Sequence, residues 1–158
     1  MSNGSRVSGP EGSAGQTISF GARFASSEGF DAIFSQGMAL VEKTAAYLDG
    51  AGRHEAKALK APLSVVYATE SMRLTTRLLE VASWLLIRRS LKEGEITAEE
   101  ARRKRQRVKL RTLGRPSHVR QFAELPEGLR HLIEASFSLT DRVVQLDKAM
   151  ETTADEAE

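Results

Sequence analysis

The sequence predicts an all-α fold: an antiparallel three-helix bundle that runs up, down and up, with flexible termini and a basic helical or loop excursion between the second and third helices. Apolar residues recur at helical spacing in three long segments. No segment alternates apolar and polar residues as a half-buried strand does. The 158 residues, 41% hydrophobic and 28% charged, have the size and composition of one globular domain.

Composition divides the chain into a central domain and two tails. Ser and Gly fill ten of the first 21 positions, so residues 1–26 have little apolar surface to offset chain entropy. We therefore expect them to form a disordered N-terminal tail. Residues 27–150 form the predicted bundle domain, with a basic segment at 98–120, and residues 151–158 are predicted to be an acidic disordered tail.

The first predicted helix extends from about Ser27 to Leu48. A serine can cap its start, and Glu28 and Asp31 lie in the first turn, where the helix dipole favours acids. Asp49 and Gly50 end it. Its apolar positions follow helical spacing and form one stripe, composed of Phe30, Ile33, Phe34, Met38, Val41, Ala45 and Leu48.

The second predicted helix begins at about Pro62, which suits a first helical turn, and extends to about Glu93. Some of its apolar residues repeat at intervals of seven, namely Val65, Met72, Leu79 and Leu86, and others form an adjoining seam. Two seams on one helix exceed what a surface helix needs for a single buried face.

From Leu78 to Ile87 this helix is apolar almost all round. The run is about ten residues, and a membrane span needs about 20, so we expect no helix that crosses a bilayer. The excess suggests burial on two sides, by the bundle and by a second subunit. The candidate residues for the core or the dimer contact are Leu78, Val81, Trp84, Leu85 and Ile87.

The excursion after the second helix is strongly basic. Thr97 and Glu100 form a predicted capping box, and residues 102–120 then hold nine Lys or Arg and no acid, which leaves 14 bases against 21 acids elsewhere. A solvated mobile arm, a contact with an acidic protein and a nucleic-acid contact are the open interpretations. The arm lacks aromatic residues for base stacking and a helix-turn-helix pattern, so nucleic acid is the least favoured. The candidate partner-binding residues are Arg102, Arg103, Lys104, Arg105, Arg107, Lys109 and Arg111.

The last predicted helix starts near Pro126 and ends near Met150. Its apolar residues again follow helical spacing and give it a core-facing stripe. They are Leu129, Leu132, Ile133, Phe137, Val143, Val144 and Leu146.

Catalytic, cofactor and metal motifs are absent from the sequence. Without cysteine there is no disulfide, thiol nucleophile or thiolate zinc site. His54, His118 and His131 lie in different segments without metal-ligand spacing, and no phosphate loop or serine elbow occurs. We therefore predict a non-enzymatic protein with no cofactor and no metal.

One polar cluster, Glu70, Arg73 and Arg77, lies on one face of the second helix. It is consistent with a carboxylate or phosphate site inside a small helical enzyme, or with a row of ion pairs that supports the helix. The second interpretation is favoured, because no further carboxylate, lysine or histidine is placed for acid–base work. We predict a structural role for the cluster.

A longer pattern resembles one known family. Its first part is Gly37-Met-Ala-Leu-Val-Glu-Lys-Thr-Ala-Ala-Tyr-Leu-Asp-Gly50, followed by Gly52-Arg53. Its second part is Glu70-Ser-Met-Arg-Leu-Thr-Thr-Arg-Leu-Leu79 with Ala82-Ser-Trp-Leu-Leu86, and Glu124-Leu-Pro126, Arg142-Val143 and Leu146-Asp147 close it. Over roughly residues 28–150 the chain is similar to the alphaproteobacterial regulators of CtrA degradation, the RcdA family.

The resemblance implies a function that the residues alone do not. Members of this family are three-helix bundles that form homodimers and act as adaptors for the ClpXP protease in cell-cycle control. A second adaptor, which is response-regulator-like, first primes ClpX. Members of the family then tether substrates such as the response regulator CtrA to the primed protease. A cytoplasmic protein without membrane insertion is implied, with the cell pole as a candidate location. The alternative that the basic segment leaves open is a small nucleic-acid-associated helical protein.

Overall fold

The structure, a computed structural model, describes residues 28–110 and 115–156. Every regular element in these ranges is helical, which confirms the all-α class. The α-helices are α1 (Glu28–Asp49), α2 (Ala51–Lys57), α3 (Leu63–Lys92), α4 (Ala98–Gln106) and α5 (Glu127–Glu156). Short 3₁₀ turns at Pro116–His118 and Phe122–Glu124 lie between α4 and α5. The helices in the described part of the chain are too short or too polar to cross a membrane.

The helix boundaries follow local signals at most positions. Pro62 precedes α3, and Gly94 follows it with a positive φ of 74°. At the start of α4 the predicted capping box is present, with the Glu100 backbone N–H donating to Thr97 Oγ1 over 3.1 Å and the Thr97 N–H donating to Glu100 Oε2 over 2.9 Å. The last helix differs from its prediction, because α5 continues past Met150 to Glu156, through most of the segment predicted to be a tail. The predicted N-terminal tail, residues 1–26, lies outside the described residues.

The three long helices pack against one another, and cross-helix contacts give their directions. Lys92 Nζ lies 2.9 Å from Asp31 Oδ1, so the end of α3 meets the start of α1. Arg77 reaches Ser136 and Trp84 reaches Asp147, so α3 and α5 run in the same direction. The order is therefore up, down and down, with α1 antiparallel to both, and the up-down-up order predicted from the sequence is wrong.

The connection between α3 and α5 explains this order. Its residues pass along α5 from end to start: Arg105 pairs with Asp147, Arg115 lies 3.0 Å from Asp141, and Leu125 is buried beside Leu129. With 30 residues, α3 is about 45 Å long, and the connection returns over much of that length. The basic excursion is thus the crossover that allows α5 to lie parallel to α3.

The core consists of two adjoining clusters of buried side chains. One lies at the α1–α3 turn end of the bundle and consists of Tyr67, Leu74, Leu78, Leu125, Leu129, Leu132, Ile133 and Phe137. The other lies at the opposite end and consists of Phe30, Ile33, Val81, Trp84, Leu85, Leu139 and Val143. Gly37 lets α1 and α3 approach closely, because a Cβ atom there would lie 2.4 Å from Leu85 Cδ1 unless that side chain shifted.

Candidate protein-interaction surfaces

The residues predicted for the core or the dimer contact lie mainly inside the single chain. Leu78, Val81, Trp84 and Leu85 are at most 3% exposed, and each belongs to one of the two core clusters. Ile87 is half-buried. The apolar run that suggested burial on two sides is therefore largely covered by α1 and α5 of the same chain.

A different set of residues on α3 leaves apolar surface open. Four large side chains spaced by seven residues are strongly exposed: Val65 by 62%, Met72 by 72%, Leu79 by 58% and Leu86 by 50%. Seven residues are nearly two helical turns, so these side chains form a line along α3 about 32 Å long. We call this line the apolar stripe. Four large apolar side chains exposed along one helix are a candidate contact surface.

The basic segment divides into exposed and internal residues. Arg102, Arg103, Lys104, Arg107 and Lys109 are exposed, and we call them the basic surface. Arg111 lies outside the described residues. Arg105 differs from its neighbours, because its side chain is only 19% exposed and its Nε donates to Asp147 Oδ1 over 2.6 Å. Its second bond joins Nη2 to Asp147 Oδ2, and Nη1 donates to the Val108 carbonyl oxygen over 2.9 Å.

Asp147 is the buried acceptor that holds this end of the bundle together. Besides Arg105, it accepts a 2.8 Å hydrogen bond from Trp84 Nε1, and Arg88 Nη2 lies 3.9 Å away. Burial by itself would raise the pKa of the Asp147 carboxyl, but the hydrogen bonds from Arg105 and Trp84 and the charges of Arg105 and Arg88 hold that pKa below its ordinary value. Val108 and Leu110 also pack on the core, so the excursion is docked as far as Leu110.

The polar cluster on α3 separates into two arrangements. Glu70 is buried and accepts a 2.8 Å hydrogen bond from Arg73 Nη1. Arg77 instead turns toward α5, where Nη1 donates to Ser136 Oγ over 2.7 Å and the guanidinium carbon lies 3.7 Å from the centre of the Phe137 ring. Burial lowers the pKa of Arg77. The three residues therefore do not form the continuous row of ion pairs that their spacing suggests.

Metal-ligating side chains are scattered in the part of the chain that the structure describes. Within residues 28–110 and 115–156, no three His, Asp or Glu side chains gather in a group that could hold a metal ion. His54, His118 and His131 are all exposed on separate elements. The same residues present three surface features: the apolar stripe, the basic surface and a cleft beside Arg77.

Comparison with known proteins gives a family and a solved structure of high similarity. The family model described as "Protein of unknown function (DUF1465)" matches residues 21–158. The structure titled "Crystal Structure of RcdA from Caulobacter crescentus CB15" is 49% identical in sequence, with a TM-score of 0.65 and a match that covers 80% of this chain and 94% of that chain. A search of curated proteins finds no match. The family model covers all three long helices.

Proposed function

This chain belongs to the RcdA family, and on that premise we propose that it is a non-enzymatic adaptor that delivers cell-cycle regulators, such as CtrA, to the ClpXP protease. The observation that carries the proposal is the 49% identity with Caulobacter RcdA over 94% of that chain. An adaptor needs contact surfaces and no reaction centre. Tethering raises the concentration of a substrate at the unfoldase, so contacts that are individually weak are sufficient.

The apolar stripe supports homodimer formation as part of this proposal. Exposed apolar side chains that repeat every seven residues lie along one side of a helix, where a second helix can pack against them. In a symmetric pair, the same four residues of each protomer face one another, and all eight lose contact with water. Each of these half- to three-quarters-exposed side chains contributes about 1 kcal/mol on burial. A bundle dimer with α3 at the contact is the arrangement that we propose.

The basic surface supports a contact with an acidic partner, such as the receiver domain of a response-regulator-like adaptor. Several exposed cations steer association even though each exposed pair contributes little and is screened by salt. Arg105 is left out of this surface because its guanidinium already holds Asp147. A small nucleic-acid-associated protein is the alternative. A variant that removes charges from the basic surface tests both functions.

The adaptor role is tested by reconstituted degradation of CtrA with ClpXP and a response-regulator-like adaptor. We expect this protein to accelerate degradation, and the variant Arg102→Gln, Arg103→Gln and Arg107→Gln to deliver more slowly and with weaker salt dependence. The matched control removes three exposed charges elsewhere, with Arg53→Gln, Lys57→Gln and Lys60→Gln, and should keep parental activity. No acceleration would overturn the adaptor role, and a salt-dependent DNA shift lost only in the first variant would favour the alternative.

A further inference from the structure

A cleft of about 500 Å³ lies between α3, the Pro116–His118 turn and α5. Three arginines line it, namely Arg73, Arg77 and Arg115. Its apolar lining residues include Met72, Val119 and Phe137. Glu70 and Glu80 line it as well, so the described lining residues include three arginines and two carboxylates. The cleft shares none of its lining with the basic surface.

Two contacts orient Arg77 within this lining. Its guanidinium stacks on the Phe137 ring at 3.7 Å and donates to Ser136 Oγ at 2.7 Å, and Ser136 Oγ in turn donates to the Ile133 carbonyl oxygen at 2.7 Å. A guanidinium placed by stacking and by a hydrogen bond of this kind has lost its rotamer freedom before any ligand arrives.

The charge of Arg77 is only partly compensated. Among the residues that the structure describes, no carboxylate oxygen lies within 4.0 Å of its guanidinium, whereas Arg73 has Glu70 at 2.8 Å and Arg115 has Asp141 at 3.0 Å. Of the five N–H donors of a guanidinium, Ser136 occupies one. The remaining donors suit a carboxylate, which accepts two parallel bonds from an arginine.

We propose that this cleft binds an extended peptide segment through one carboxylate, held by Arg77 and the rim arginines, and one neighbouring aliphatic side chain, held by Val119 and Phe137, whereas Met72 belongs to the apolar stripe. The apolar wall beside the arginines distinguishes such a segment from a small polar anion, which would leave that wall in water. The carboxylate comes from an Asp or Glu side chain or from the C-terminus of a polypeptide. The inference concerns one protomer alone and requires neither the protease nor a dimer, so it stands or falls independently of the adaptor role.

The test is isothermal titration calorimetry of the full-length protein with three short peptides. Acetyl-Leu-Glu-Leu-amide carries a side-chain carboxylate, acetyl-Leu-Ala-Leu carries only a terminal carboxylate, and acetyl-Leu-Gln-Leu-amide is the neutral control. We expect at least one acidic peptide to bind at least tenfold more tightly than the neutral peptide, since a charge-assisted pair contributes about that factor. The acidic peptide that binds identifies the source of the carboxylate.

Variants then locate the binding. Arg77→Gln should reduce the affinity for the acidic peptide about tenfold, to the level of the neutral peptide, while Arg53→Gln on α2 should leave it unchanged. If circular dichroism shows that Arg77→Gln does not fold, Arg115→Gln at the rim replaces it. We expect Arg115→Gln to reduce the affinity for the acidic peptide as well, by a smaller factor. Equal binding of all three peptides, no binding of any, or unchanged binding by Arg77→Gln or Arg115→Gln would overturn the proposal. Succinate that binds as tightly as the acidic peptide would overturn the assignment to a peptide.

Discussion

Replacing Asp147 with asparagine is expected to lower the free energy of unfolding by about 3 kcal/mol. The Asp147 side chain is 5% exposed and faces Arg105 and Arg88, each 19% exposed. Asparagine keeps an oxygen that can accept from Trp84, but it removes the charge that compensates both arginines. Breaking a buried pair typically costs about 3–5 kcal/mol, and the partial exposure of the arginines places this case at the lower end.

The same contribution should depend on pH in a defined direction. Because the pKa of the Asp147 carboxyl in the folded protein lies below its ordinary value, the carboxylate stabilises the fold fully above the unfolded pKa of about 3.9. The contribution is lost as the pH falls through the depressed folded pKa. The difference between parent and Asp147→Asn should therefore be full near neutral pH and should shrink in acid.

Urea unfolding followed by far-UV circular dichroism measures both effects. Asp31→Asn is the matched control, because it makes the same chemical change in the exposed pair with Lys92, where the Asp31 side chain is 68% exposed, and should cost less than about 1 kcal/mol. Limited proteolysis should also cut near α4 faster in Asp147→Asn, since Arg105 then loses its anchor. Equal losses in the two variants, or an undiminished difference in acid, would refute the reasoning.

The remaining expectations concern the stripe and the core. Leu79→Glu should convert the proposed dimer to a monomer by light scattering without loss of helicity, whereas Ala135→Glu, exposed on α5, should not change the mass. Trp84 is 0% exposed, so its emission should be blue-shifted and iodide should not quench it; ready quenching would contradict the packing. Gly37→Ala should lower the free energy of unfolding by about 1–3 kcal/mol in urea titration, because its Cβ would lie 2.4 Å from Leu85 Cδ1, and a gain in stability would show that Leu85 moves aside freely.

Elements with local signals could be predicted from the sequence, and the direction of α5 could not. The Thr97–Glu100 capping box needs only four consecutive residues, and it forms as expected. The parallel arrangement of α3 and α5 depends on contacts such as Arg77 with Ser136, which are 59 positions apart. Helical periodicity describes which face of each helix is apolar, but it contains no information on whether a long connection turns back at once or crosses the bundle.

The candidate surfaces, too, could be predicted only in part from the sequence. The repeat at Val65, Met72, Leu79 and Leu86 is visible in the sequence. The sequence does not show that this repeat is exposed while the neighbouring seam is buried, because that depends on which side of α3 is covered by α1 and α5. Arg105 is indistinguishable by type and position from the cations around it. What sets it apart is Asp147, a partner 42 positions away.

The way α3 is packed explains how weak exposed charges could act together in the proposed adaptor. α1 and α5 cover the side of α3 that carries Leu74, Leu78 and Leu85, while the apolar stripe on the same helix stays exposed. The stripe contains none of the cations of the basic surface, so pairing through the stripe would present two basic surfaces in one assembly. Two linked contacts bind far more tightly than either alone, because the second forms at a high effective concentration. On this reasoning, Leu79→Glu should weaken substrate delivery although it touches no charged residue, and delivery at the parental rate by a monomeric Leu79→Glu variant would show that one basic surface is enough.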